Sequence, residues 1–296
     1  MAGLRPDAME SHRSGTRLAW LVFVASTVSL SVAAWVGSVG AYVFLGLWLL
    51  FFAVFPRSST SALSAWPQVW ILPGLAIAST LWSKAPTPTL RFSLQFAATV
   101  GCACIAARQL GPRRLISGLV CALSVTMLLS LAAGRHIVDP LTRKVEFVGI
   151  FHSKNALAGH IAILVLASVA VLLDRRQPHA PQLLAMFSFM AALPVLQTAR
   201  SAGSAVASAL AVVVLLASHA LSRLPARERV LMLFAVGATL LPLIVLLASL
   251  GETARSLVIE DMLGKDPTLT GRMELWQRAA ALIADRPLLG RGFQAF

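Results

Sequence analysis

Charge is scarce in this chain of 296 residues: Asp, Glu, Lys and Arg together make 12%, where a soluble domain carries about a quarter. Cysteine is scarcer still. Cys102, Cys104 and Cys121 all lie in apolar runs, so they read as small hydrophobes and not as a disulfide frame or a metal site. The ten-residue alternating segments of a membrane β-barrel are missing. No basic stripe with interleaved aromatics is present, which argues against a nucleic-acid partner although the net charge is +13. No small-residue cleavage site follows the first apolar run, so that run reads as an uncleaved helix and not a signal peptide. No internal repeat of the inverted-transporter kind is visible.

What the chain does have is apolar length. It is 57% hydrophobic, with a mean hydropathy of +0.79, and its long apolar runs are cut by short basic or Pro-containing breaks. Only helices and closed barrels satisfy their backbone groups in lipid. The expected fold is therefore all-α: a polytopic membrane helix bundle. On a ruler of roughly 17–25 residues per span, about nine segments begin near Leu18, Ala41, Val69, Leu90, Leu115, Ala156, Leu183, Ala202 and Val230. The organisation that follows is a cytoplasmic tail over 1–17, a transmembrane bundle over 18–250 and an outward loop over 251–296.

Orientation comes from loop charge. With the N-terminus cytoplasmic, the inside segments hold Arg5, Arg13, Arg17, Arg57, Arg108, Arg113, Arg114, Arg175, Arg176, Arg223, Arg227 and Arg229. The short outside loops hold fewer cations: Lys84, Arg91, Arg135, Arg143, Lys144, Lys154 and Arg200. The bias follows the positive-inside rule, modestly. It places Gly251 to Phe296 outside, where six further cations (Arg255, Lys265, Arg272, Arg278, Arg286, Arg291) add to a positive outer face. That sign suits an anionic substrate. Leu275, Ala279 and Leu282 recur at helical spacing beside Trp276 and Ile283. They predict an amphipathic helix over Met273–Ala284 on the outer membrane surface, with Thr270 as its N-cap and Arg286-Pro287 as its stop.

Four motifs stand out in order: Leu81-Trp-Ser-Lys-Ala-Pro-Thr-Pro-Thr-Leu90, Gly149-Ile-Phe-His-Ser-Lys-Asn155, Gln197-Thr-Ala-Arg-Ser201, and the stretch from Thr270-Gly-Arg272 through Arg286-Pro-Leu-Leu-Gly-Arg-Gly-Phe293. Together they resemble the O-antigen ligase / exopolysaccharide polymerase family, most closely its exopolysaccharide-production branch, over most of the chain. The third departs from the usual serine–arginine–threonine triplet, with Ala199 before the arginine and Ser201 after it.

The resemblance implies a metal- and cofactor-independent glycosyltransferase of the inner (plasma) membrane. Such an enzyme moves a glycan from an undecaprenyl-diphosphate carrier to a polysaccharide or lipid-linked acceptor on the periplasmic face, as a polymerase or a ligase. Membrane lipid and polysaccharide export machinery are the other implied partners. Fixed guanidinium groups stabilise the charge that grows on a diphosphate leaving group, and their planar fork pairs with phosphate oxygens. Arg200 and Arg272 are the expected diphosphate ligands, with Lys154, Asn155 and Arg91 as further substrate-binding candidates. His152 is a weak candidate base; the family's histidine base is expected further along than Phe296, so the chain reads as cut short within its outward loop. Each has a plainer alternative: Arg200 reaching lipid phosphate, His152 resting at the interface, Asn155 capping a helix, and Trp82, Trp276 and Phe293 as interfacial anchors. Glu274 and Arg278 at i,i+4 read as a helix ion pair.

Two other classes compete. A transporter or glycan flippase would carry ionisable groups or broken helices near the midplane; Pro73-Gly74, Pro194 and Pro242 interrupt apolar segments but lack acidic neighbours. A non-catalytic or truncated relative is the third reading.

Overall fold

The computed structural model describes residues 6–138, 145–231 and 272–295. Among these it is helical almost throughout, in keeping with an all-α polytopic membrane protein. Among the described residues five helices are long and apolar enough to cross a membrane, or six if one bent pair is counted as a span. The ninth expected segment and Thr270 lie outside the described residues.

The chain divides into two compact units, 1–75 with 91–215, and 76–90 with 216–296. The first is a helix bundle. α1 (Pro6–Val36) and α2 (Ser38–Val54) form a hairpin, reversed at Gly37, whose φ of 72° is open to glycine at little cost. Gly40 faces Ser29 and Ala33 so closely that a Cβ would strike the α1 backbone. Water does not drive helices together in lipid, so close packing of small residues and interhelical hydrogen bonds do. Ala19, Ala62 and Ala106 are buried in this cluster around Trp48 and Phe51, and Trp48 Nε1 donates to Ser26 Oγ at 3.1 Å. α3 (Pro56–Ser64) turns away from α2 by 109°, where the sequence suggested only a loop.

The third expected span is not a regular helix. It consists of a 3-10 turn at Pro67–Trp70, α4 (Ile71–Ala78) and a second 3-10 turn at Ser79–Trp82. Pro73 has no N–H to bond back along this run, and Pro67 and Pro86 stand at helix starts, so regular α-helix is short here. Segments four and five are joined as α5 (Pro86–Ala133), but Gly111 (φ 66°, ψ 166°) breaks it into two helices just before Pro112.

After α5 comes an antiparallel hairpin that an all-helical reading does not contain. Its strands are β1 (His136–Val138) and β2 (Val145–Phe147), with Ile137 opposite Glu146. The amides of Val148 and Gly149 donate to the Arg135 carbonyl at 3.1 and 3.3 Å and close its stem. α6 (Lys154–Leu173), α7 (His179–Thr198) and α8 (Ala202–Leu221) follow. Phe147, Ile150 and Phe151 sink into a core with Leu123 and Met127 of α5, Leu157 and Leu164 of α6, and Val195 and Leu196 of α7. Ser124 and Ser188 hydrogen-bond inside it at 2.6 Å.

Within this unit the two ends are distinct. At one, Arg113 Nε donates to Asp174 Oδ2 at 2.8 Å and Gln177 Nε2 donates to the Arg113 carbonyl at 3.2 Å. At the other, the starts of α6 and α8 meet. In the second unit, α9 (Arg272–Asp285) forms where the amphipathic helix was expected.

Candidate functional site

The second and third motifs converge at one end of the first unit. Gly149 has φ +56°, and a Cβ there would collide with Ser130 of α5; only glycine lets the chain turn so close to that helix. Ser153 then caps α6, its hydroxyl accepting from the Ala156 amide at 3.2 Å. The capping role thus belongs to Ser153 and not to Asn155. Asn155 sits in the first turn, and its Oδ1 accepts from Ser201 Oγ at 3.0 Å. Ser204 Oγ lies 3.1 Å from the same Ser201 oxygen. A side-chain chain therefore links the start of α6 to the start of α8.

Arg200 stands between α7 and α8, exposed, with φ +48°. A left-handed backbone is uncommon for a residue with a Cβ. The Ser201 link fixes Arg200 beside the first turn of α6, so Lys154, Asn155 and Arg200 share one end. Lys154 is not a free cation: it is paired with Glu146 of β2, whose side chain is 6% exposed. His152 is exposed just ahead of the cap. His160 turns back on its own helix, with Nδ1 2.8 Å from the Ala156 carbonyl and its ring 4.4 Å from that of Phe151. Arg91 is exposed and stacks loosely over Phe92, 6.0 Å from its centroid.

The first and fourth motifs converge separately, in the second unit. Trp82 Nε1 donates to the Leu289 carbonyl at 2.8 Å. The Lys84 amide donates to the Arg291 carbonyl at 3.2 Å, and the Phe293 amide donates to Ser79 Oγ at 2.9 Å. Gly292, at φ +107°, lies against Ser83 where no Cβ fits. Ser83 Oγ in turn receives the Ala85 amide at 3.0 Å and shares a 2.7 Å bond with Thr89. The Arg286–Phe293 turn is thus seated on the 79–89 loop, and Arg291 closes onto Asp285 at 2.6 Å. Trp82 spends its N–H on this turn, a role that interfacial anchoring does not describe. Arg272 opens α9. Leu275, Trp276 and Ile283 of α9 are exposed.

Sequence reasoning missed Glu146 and the serines at 79 and 83. For Glu146 the signal was a single carboxylate between two apolar residues, Val145 and Phe147, eight positions before Lys154. Ser83 lies within the first motif, though nothing there marked it as a docking partner, and Ser79 lies outside the motif. Among the described residues no three His, Cys, Asp or Glu side chains gather as a metal site would need.

Comparison with known proteins bears on the same segments. Residues 184–296, which carry the third and fourth motifs, match the family described as O-antigen ligase. The chain is also 29% identical over 260 residues to the exopolysaccharide production protein ExoQ of Rhizobium meliloti (strain 1021), a match covering 88% of this chain and 59% of that protein. The chain thus spans less than two thirds of the length of that curated relative. No solved structure matches. Taken with the motifs and the apolar helices, these matches point the same way: the chain is similar to O-antigen ligases and to the ExoQ-type exopolysaccharide-production protein.

Proposed function

We propose that the protein transfers a glycan from an undecaprenyl-diphosphate carrier to a polysaccharide or lipid-linked acceptor at the periplasmic face of the inner membrane, without a metal or cofactor. The relatives support a membrane polysaccharide polymerase or ligase; carrier, face and metal-free chemistry are parts of this proposal. So is the topology, with a cytoplasmic tail over 1–17, spans over 18–250 and an outward loop over 251–296. Polymerase and ligase are both accommodated, and export machinery is a further proposed partner.

The observation that carries the reading is the end of the first unit where Asn155 meets Ser201 at 3.0 Å and Arg200 is exposed beside them. The Arg113–Asp174 contact marks other loops. By the loop-charge reading those loops are inside and Arg200 is outside. Arg200 offers a fork of donors to phosphate oxygens, and the starts of α6 and α8 add backbone N–H groups that favour an anion. Asn155 offers its amide to a sugar or phosphate oxygen. Arg272, which opens α9 in the second unit, and Arg91 are proposed as further substrate-binding cations. Lys154 belongs to the same turn but is held by Glu146. His152 is kept as a weak candidate base. The Lys, Arg, Asp and Glu residues of the described spanning helices fall near helix ends or beside the Gly111 break, a pattern expected of an enzyme working at the membrane surface more than of a transporter with charge at mid-depth.

The reading is tested by Arg200→Ala and Arg272→Ala in the full-length protein. Each should insert normally yet lose glycan assembly by roughly a hundredfold or more, as when one donor to a developing oxyanion is removed. Wild-type polymer levels in either variant would sink the diphosphate-binding idea.

A further inference from the structure

We propose that Glu146 is a positioning residue, and that the Lys154 ammonium serves Glu146 and not the substrate. This rests on the proposed glycan transfer and reassigns Lys154 within it from ligand to anchor.

The chain has 12 acidic residues among 296, and Glu146 is buried at 4% exposure on a two-stranded hairpin. An ionised carboxylate taken from water is costly unless paired and hydrogen-bonded. Its partner is the first residue of α6. Val145 is exposed, while the successive residues Glu146 and Phe147, on opposite faces of β2, are both buried. Phe147 enters the core, which fixes the strand, and the Gly149 turn against Ser130 fixes the chain that follows. The pair then binds hairpin to helix eight residues on. Asn155, the next residue, reaches Ser201, and Arg200 adjoins Ser201. Glu146 therefore sets where α6 begins, and through Asn155 and Ser201 it sets where Arg200 stands. The ammonium has three donors, and the buried Glu146 carboxylate beside it offsets its attraction for a diphosphate. The anion site is then left to guanidinium groups.

The test is a charge exchange in the full-length protein, comparing wild type, Glu146→Lys, Lys154→Glu and the double exchange. Thermal midpoint is read in detergent. Transfer from undecaprenyl-diphosphate-linked glycan is read in proteoliposomes. Each single exchange should lower the midpoint, by on the order of 10 °C, and cut transfer at least tenfold. The double exchange should restore the midpoint and bring transfer to within about threefold of wild type, because geometry returns although the charges are reversed. A double exchange that regains its midpoint but stays as inactive as Lys154→Glu would overturn the proposal and return Lys154 to the substrate. Unchanged midpoints in both singles would overturn it as well.

A positioning role is separated from a purely structural one by Glu146→Gln, assayed below its midpoint. A raised KM for the lipid-linked glycan, roughly tenfold, is expected of the folded enzyme, and an unchanged KM would reduce the pair to a stability device. If wild type itself transfers no glycan, the functional reading fails alone, while the midpoints of the four proteins still decide whether the ion pair anchors the hairpin.

Discussion

Arg200 adopts a left-handed backbone conformation at φ +48°, which for a residue with a Cβ costs about 1–2 kcal/mol relative to the right-handed region. Strain of this kind persists where the surroundings over-determine it and collects at functional positions. Arg200→Gly removes both the strain and the guanidinium. It should hold or raise the thermal midpoint while abolishing glycan transfer, and a variant that loses stability and activity together would contradict a site role. Gly149 makes the opposite case. Gly149→Ala meets Ser130 and an unfavourable φ at once, so about 1–3 kcal/mol of stability should be lost, visible as a lowered midpoint. Asp174 gives a pH handle. The Arg176 amide first, then Arg113, hold its carboxyl below the usual carboxylate range. A depressed group stabilises the fold above the ordinary carboxylate pKa and loses that contribution as pH falls through its lower, folded value. Asp174→Asn should therefore lower the midpoint slightly at neutral pH and flatten its decline on acidification, as followed by unfolding scans across the acid range.

At the level of elements, most of the helices were legible because twenty apolar residues in lipid leave little choice but helix. The α1–α2 reversal near Gly37, the α6 start and the amphipathic α9 follow from that rule and from local helix signals. The hairpin was not legible. Its strands have three residues each, too short for a period-two pattern to rise above neighbouring loops. The irregularity of the third segment was not legible because hydropathy measures composition, whereas Pro73 inside it lacks the N–H that a continuous helix would use. The pairing of motifs was equally hidden. Nothing in Trp82 or Leu289 separately announces that an indole N–H will meet a carbonyl 207 residues on. Trp82→Phe keeps the ring and removes the donor, costing about 1 kcal/mol, and Gly292→Val adds a side chain where Ser83 leaves no room. Both should unseat the 286–293 turn, detected as faster limited proteolysis there with the first unit's helices still protected. Equal protection in both variants would show that the turn does not depend on the 79–89 loop.

For the whole molecule the claims are topology and transfer. Reporter residues at Arg175–Arg176 should be shielded from membrane-impermeant thiol reagents in intact cells, and one at Arg200 should react; the reverse pattern would place the guanidinium on the wrong side for a periplasmic carrier. The contact between Arg113 and Asp174 and that between Asn155 and Ser201 already divide the loops of the first unit into two sets, and the loop charges sort the same way. The central claim is that Arg200 and Arg272 are each needed to use a diphosphate-linked glycan. The most direct measurement is transfer by purified full-length protein in proteoliposomes supplied with undecaprenyl-diphosphate-linked glycan, comparing wild type with Arg200→Ala and Arg272→Ala. The account predicts polymer or ligated product from the wild type and almost none from either variant, all three being equally inserted and folded. Undiminished product from the variants would contradict it.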